Sequence, residues 1–279
     1  MRNAAILNFS AILAMTLAFA AVASSDYDVM LASNTLGVTK VTSAAEYLPL
    51  AITYGAVSAG TDTPSKADSL VMTSNLEAGD ELFVYDHENG KYDVFELEKA
   101  EDGSTSWKAR NVITIGTSGV TTETGTAAEE KELAPGYACW LHRPNIASRD
   151  DKTVTLAGQV FTGKITVTIA AASGTKAFGQ TLIGPPVPST GDFHLNGGSI
   201  DWTGAVKGDE IRLAKEDGTY ETVKYTGTQW KWIRYYYEND GGLSRLKKDT
   251  DPVIPAGQAA WYARKAGSNP SFNIEMEVK

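Results

Sequence analysis

A protein that does chemistry needs a nucleophile, a paired acid and base, or a cluster of metal ligands. The sequence has three histidines, His87, His142 and His194, and a single cysteine, Cys139. None of the histidines has a second His or Cys at metal-ligand spacing, so no metal site is expected. His87 lies in Asp86-His87-Glu88-Asn89-Gly90, where a solvated polar turn accounts for it. His142 follows a tryptophan motif that recurs later in the chain with Ala263 in its place, which argues against a shared role. His194 reads as a core or loop residue. One thiol cannot form an intrachain disulfide, and Cys139 is flanked by Ala138 and Trp140, the setting of a small side chain packed on a strand rather than of a nucleophile.

Carboxylates are abundant, so only recurring ones carry information. Asp80 and Asp209 each follow a glycine, Gly79 and Gly208, at the entry to a strand. Acid–base work or calcium binding is one reading. A Gly-Asp turn whose carboxylate bonds nearby backbone amides is the simpler one. Arg143 and Arg264 recur downstream in the same way, so the sequence predicts two charge-assisted links, Asp80 with Arg143 and Asp209 with Arg264. Asp240-Gly241-Gly242 and Asp249-Thr250-Asp251 lack the regular ligand register of a calcium loop. No nucleophile elbow, phosphate loop or dinucleotide fingerprint occurs, and no cofactor is expected.

Aromatic residues are the remaining candidates. Gln229–Tyr237 reads as a long strand, with Trp230, Trp232, Arg234 and Tyr236 on one face and Lys231, Ile233, Tyr235 and Tyr237 on the other. An exposed row of this kind could stack on sugar rings. The structural alternative is that cross-strand aromatic pairs stabilise the sheet.

The elements that must position these residues are β and come in two matching sets. Pro135-Gly136-Tyr137-Ala138-Cys139-Trp140-Leu141-His142-Arg143 is echoed by Ala256-Gly257-Gln258-Ala259-Ala260-Trp261-Tyr262-Ala263-Arg264. Upstream, Gly79-Asp80-Glu81-Leu82 is echoed by Gly208-Asp209-Glu210-Ile211, Asn89-Gly90 by Asp217-Gly218, and Trp107-Lys108 by Trp230-Lys231, all in the same order. Asn-Gly and Asp-Gly are hairpin turns, because both central residues take positive φ. They should join Glu81–Asp86 to Tyr92–Glu98 and Glu210–Ala214 to Tyr220–Thr226. Gly163–Ala170 alternates as a further strand. Thr117–Glu130 reads as a long polar loop, and Ala127–Leu133 as a helical turn or two. Trp140 and Trp261, set among small residues, read as core. The expected fold is all-β: two tandem repeated β-sandwich or barrel-like units in a pseudo-two-fold relation, residues 24–158 and 159–279.

The chain opens like a secretory signal, residues 1–23. Arg2 leads, an apolar run Ile12–Ala20 follows, and Ala21-Val22-Ala23 offers a cleavage site. That run is short for a membrane anchor, so no membrane insertion is expected after cleavage. The formal charge of −9 disfavours nucleic acid as a partner.

The Gly-x-x-x-Val strands, the Gly-Asp turns, Phe178-Gly179-Gln180-Thr181-Leu182-Ile183-Gly184-Pro185-Pro186-Val187-Pro188 and the closing Gly257-Gln258-Ala259-Ala260-Trp261-Tyr262-Ala263-Arg264 resemble a family of uncharacterised exported β-rich proteins of Verrucomicrobia and related bacteria, which end near a Gly-Gln-x-x-Trp-Tyr-x-Arg motif. The first half departs from that motif, with Gly136-Tyr137 in place of Gly-Gln. The resemblance implies an exported protein and no particular activity. The expectation is therefore a non-catalytic structural, adhesive or scaffolding protein of the cell envelope (periplasm, cell surface or outside), with a glycan or an envelope protein as partner. The alternatives are a carbohydrate- or ligand-binding module using the aromatic strand and, with less in its favour, a glycoside hydrolase.

Overall fold

The computed structural model describes residues 26–31, 36–55, 65–66, 71–72, 75–87, 91–116, 119–123, 131–161, 163–172, 178–185, 193–198, 200–214, 219–228, 231–240, 243–254, 257–265 and 269–278. Among them the chain is all-β, its strands gathered into several sheets, with one 3-10 turn at Ile146–Ser148. No described helix is long and apolar enough to cross a membrane.

Two six-stranded antiparallel sheets dominate. Across the first the order is Gly119–Glu123, Thr105–Gly116, Lys91–Lys99, Glu81–Asp86, Ala138–His142, Tyr47–Ala51. Across the second it is Leu243–Asp249, Trp232–Asp240, Tyr220–Tyr225, Glu210–Ala214, Ala260–Lys265, Phe178–Ile183. By rank along the chain the two orders coincide. In each, four strands run as a meander, the last strand returns to pair with the first strand of that meander, and the earliest strand forms the far edge.

Each large sheet lies over a smaller one. Strands Leu36–Thr42 and Thr153–Val160 face the first sheet, and Gly163–Ile169 and Phe272–Val278 face the second. The alternation of the strands makes the cores. Leu82, Val84, Phe95, Leu97, Trp107, Cys139 and Leu141 point inward against Val41, Val154 and Leu156. Ile211, Leu213, Val223, Trp232, Ala260 and Tyr262 point inward against Ile165, Val167, Ile169, Ile274 and Met276.

The opposite faces of the two large sheets meet each other. Phe83, Val94, Ala138 and Trp140 of the first pack with Leu182, Ala259 and Trp261 of the second, and Tyr85 meets Trp261 edge-on at 5.0 Å. Trp140 and Trp261 are thus buried between the sheets rather than inside their own sandwiches. Backbone bonds cross the same junction. Gly184 N–H donates to Gly136 O at 3.0 Å, Ala51 N–H to Gly257 O at 3.3 Å, and Tyr137 bridges Ile183. Gly136 fits there because it lacks a side chain. Its φ is +88°, and a Cβ would stand 2.4 Å from Val167 Cγ2.

Several expectations are corrected. Thr117–Glu130 is not all loop: Gly119–Glu123 closes a hairpin with Thr105–Gly116. Of the helical turn expected at Ala127–Leu133, Glu132–Leu133 is a strand paired with Ser65–Lys66, and residues 127–130 lie outside the described ones. A boundary at Gly158 would cut the strand Thr153–Val160, which stays paired to Tyr54 through Val160. The signal-like residues 1–23 and both hairpin tips, Asn89-Gly90 and Asp217-Gly218, lie outside the described residues.

Candidate functional site

The two Gly-Asp turns place fully buried carboxylates beneath the large sheets. In each, the aspartate accepts from a main-chain N–H three residues back, at 3.0 Å: Asp80 from Glu77, Asp209 from Val206. Positive φ at Gly79 and Gly208 lets the chain double back to make that bond. Asp209 pairs with Arg264, whose Nη1 is 3.2 Å from Oδ2. It also accepts from the Tyr262 hydroxyl at 2.7 Å and the Lys265 N–H at 2.8 Å. Burial, followed by the charge of Asp209, raises the Tyr262 pKa far above the ordinary tyrosine range.

Asp80 breaks the expected pattern. Its partner is Arg149, which donates to both carboxylate oxygens, at 2.8 and 2.5 Å. Arg143 instead donates to the main-chain carbonyls of Lys152, Ser43 and Ala45. Burial pushes its pKa down to about 10, partly offset by Asp80, so it stays charged at neutral pH. The predicted Asp80–Arg143 link is therefore replaced by Asp80–Arg149. The 3-10 turn after Pro144 carries Arg149 back to the aspartate, and the second half has no described counterpart of that turn. Both carboxylates are saturated by structural partners.

Cys139 is fully buried, and burial pushes its pKa up to about 12. Its thiol is expected to resist an aromatic disulfide reagent at neutral pH in the folded protein and to react at once in denaturant. Rapid labelling of the native state would contradict this placement.

His142 sits in a polar cluster. Nδ1 lies 2.8 Å from Glu81, Nε2 lies 3.1 Å from Glu46, and the ring stacks on Tyr47 at 4.3 Å. Glu81 lies 3.6 Å from Arg110, which also pairs with Glu96. A neutral imidazole has one N–H, so serving both carboxylates requires the imidazolium. Burial lowers the His142 pKa, but hydrogen bonds to Glu81 and Glu46 and their charges outweigh it, and the net shift is upward from 6.5. The stabilisation is therefore full below the unfolded-state pKa and is lost as pH rises through the folded value. Between about pH 6 and about pH 8.5 the wild type should lose stability relative to His142→Ala, read from urea midpoints at both ends. Parallel behaviour of the two proteins would dismiss the clamp.

His87 stacks on Tyr137 at 5.0 Å, and His194 lies 2.9 Å from Asp251 at the surface. Asp249 pairs with Arg234, and its other carboxylate oxygen accepts from the Asp251 N–H. Among the described residues no three His, Cys, Asp or Glu side chains converge as metal ligands would.

The aromatic strand differs most from its sequence reading. Trp230 lies outside the described residues. Trp232 is fully buried against Trp202, Tyr225 and Tyr262, with ring centroids 5.0, 5.2 and 5.7 Å away. Arg234 is half-buried and tied to Glu221 and Asp249 at 2.8 and 2.7 Å. The ladder to Tyr220–Tyr225 ends at Val223 opposite Arg234. Beyond it, among the described residues, only Leu243–Asp249 accompanies the strand, as a two-stranded arm. The exposed large hydrophobic side chains among the described residues all lie on this arm: Tyr235 at 52%, Tyr236 at 42%, Tyr237 at 71% and Leu246 at 58%. Tyr235, Tyr237 and Leu246 were not among the expected site residues. Their signal in the sequence was the unbroken Tyr235-Tyr236-Tyr237 run, too aromatic for both faces of a two-stranded arm to be covered.

No protein-family model, curated protein or solved structure matches the chain.

Proposed function

We propose that the chain is an exported, non-catalytic protein of the cell envelope, a member of the β-rich family it resembles, in which two copies of one ancestral β unit form a rigid pseudo-two-fold body that presents an adhesive arm. The observation that carries this reading is the concentration of exposed large hydrophobic side chains on one hairpin arm, Trp232–Asp240 with Leu243–Asp249. Exposed large hydrophobic side chains gathered on one element in this way mark a contact surface. The matching strand orders, the paired Gly-Asp turns and the paired Trp140 and Trp261 support the duplication. The buried groups with chemical potential support a structural role: Asp80, Asp209 and Cys139 are shielded and held by internal partners.

The test is co-sedimentation of the purified protein with envelope material from the producing cells. The wild type should pellet with the envelope. A Tyr235→Ser/Tyr237→Ser/Leu246→Ser variant should stay in the supernatant with its thermal midpoint unchanged, because all three side chains are exposed. Equal partitioning of the two proteins would reject the arm as the contact element.

A further inference from the structure

The arm has two unlike faces. Residues directly opposite on antiparallel strands share a face. One face carries Arg234, Tyr236, Glu238, Arg245 and Lys247. Arg234 pairs with Glu221 and Asp249, and Lys247 with Glu238 at 3.1 Å, while the exposed Arg245 makes no ion pair among the described residues. The Arg234 guanidinium also lies 5.5 Å from the Tyr236 ring. The other face carries Tyr235 opposite Lys248 and Tyr237 opposite Leu246. Lys248 is exposed and makes no ion pair among the described residues. This face therefore joins two solvent-facing phenol rings, one apolar side chain and one cation without a counter-charge.

Size and charge narrow the occupant. A stable protein–protein interface takes roughly 20–30 residues a side, far more than these four side chains supply. Edge pairing between two copies about Leu246 would set Arg245 directly opposite Lys247, and like charges so placed repel. Tip-first insertion into an anionic bilayer is opposed by Glu238 and Asp240 toward the end of the arm. A slender chain lying along the flank avoids these objections. Although the whole chain is net negative, the two arm strands carry four cations (Arg234, Arg245, Lys247, Lys248) against three carboxylates (Glu238, Asp240, Asp249). Flat apolar ring faces suit the C–H faces of pyranose sugars, and an unpaired ammonium suits a carboxylate.

Taking the arm as the contact element proposed above, we propose that its Tyr235–Tyr237–Leu246–Lys248 face binds an acidic polysaccharide, a pyranose chain bearing uronate carboxylates. Tyr235 and Tyr237 stack on sugar rings and Lys248 meets a carboxylate.

The test uses the whole mature protein and calorimetric titration with oligogalacturonate, the same oligomer fully methyl-esterified, neutral dextran, and single-stranded DNA. The free-acid oligomer should bind tightest. Tyr237→Ser should weaken it by about tenfold. Lys248→Gln should weaken it by about fivefold and leave the ester unaffected. Circular dichroism of both variants should match the wild type, since both positions are exposed. Equal binding of acid and ester would overturn the uronate assignment, as would equal binding of DNA, which would reduce the site to a general anion contact. Binding unaltered by Tyr237→Ser would remove the site from this face. If envelope co-sedimentation persists and no uronate oligomer binds, this inference fails and the adhesive arm stands. If both fail, the arm itself is misassigned.

Discussion

Replacing Asp209 by Ala is expected to destabilise the protein by about 3–5 kcal/mol, the usual cost of removing one partner from a buried ion pair. The carboxylate is fully buried and is held on all sides. Oδ2 accepts from Val206 N–H, Tyr262 hydroxyl and Arg264 Nη1, and Oδ1 accepts from Lys265 N–H. Among the described residues, alanine would leave the Arg264 charge, itself buried, with only the Gly204 carbonyl at 3.0 Å and the face of Phe272 at 4.5 Å. Two backbone N–H groups and a hydroxyl would also lose their acceptor, and each unsatisfied buried group costs about 1–3 kcal/mol before relaxation. Asp209→Asn keeps the shape and one acceptor oxygen, so it should cost less. A loss of this size is a large part of the total stability of a domain, about 5–15 kcal/mol. Urea unfolding of the three proteins measures it. A change below about 1 kcal/mol for the alanine variant would mean that the carboxylate is not the hub described here.

Asp80 shows what could be read before the fold was known and what could not. The Gly-Asp turns were legible because their cause is local: a glycine that takes positive φ and a carboxylate that reaches an amide three residues back. The Asp209–Arg264 link was legible as well, since strand Glu210–Ala214 pairs directly with strand Ala260–Lys265. Arg149 was not legible. It reaches Asp80 only because the chain turns at Ile146–Ser148, and nothing in the matched motifs marks that turn. The same limit explains Gly119–Glu123. Its Thr-rich sequence lacks apolar alternation, and pairing with Thr105–Gly116 decides its conformation. The hairpin strands Glu81–Asp86 and Glu210–Ala214 were visible because alternation and turn chemistry agree there.

Trp232→Ala is expected to cost about 3–5 kcal/mol, the range for removing a large aromatic from a packed core. Alternation correctly set Trp232, Arg234 and Tyr236 on one face, but it could not say where that face stops being inside. The answer is non-local: the neighbouring strand Tyr220–Tyr225 ends its pairing at Arg234, so Trp232 lies under a full sheet and Tyr236 under a bare arm. Hydrogen bonding at the strand entries supports the same placement. Leu97 exchanges backbone bonds with Gly79 and Asp80 and lies opposite Trp107, while Tyr225 exchanges them with Gly208 and Asp209 and lies opposite Trp232. Trp232, and not Trp230, therefore takes the place in the second large sheet that Trp107 takes in the first, and both are buried. At Tyr237, 71% exposed and five residues further along the same strand, substitution by Ser should change stability by no more than about 0.5 kcal/mol. The two variants, unfolded side by side in urea, separate core from exposed surface. A small loss at Trp232 together with a large loss at Tyr237 would invert this assignment of buried and exposed side chains.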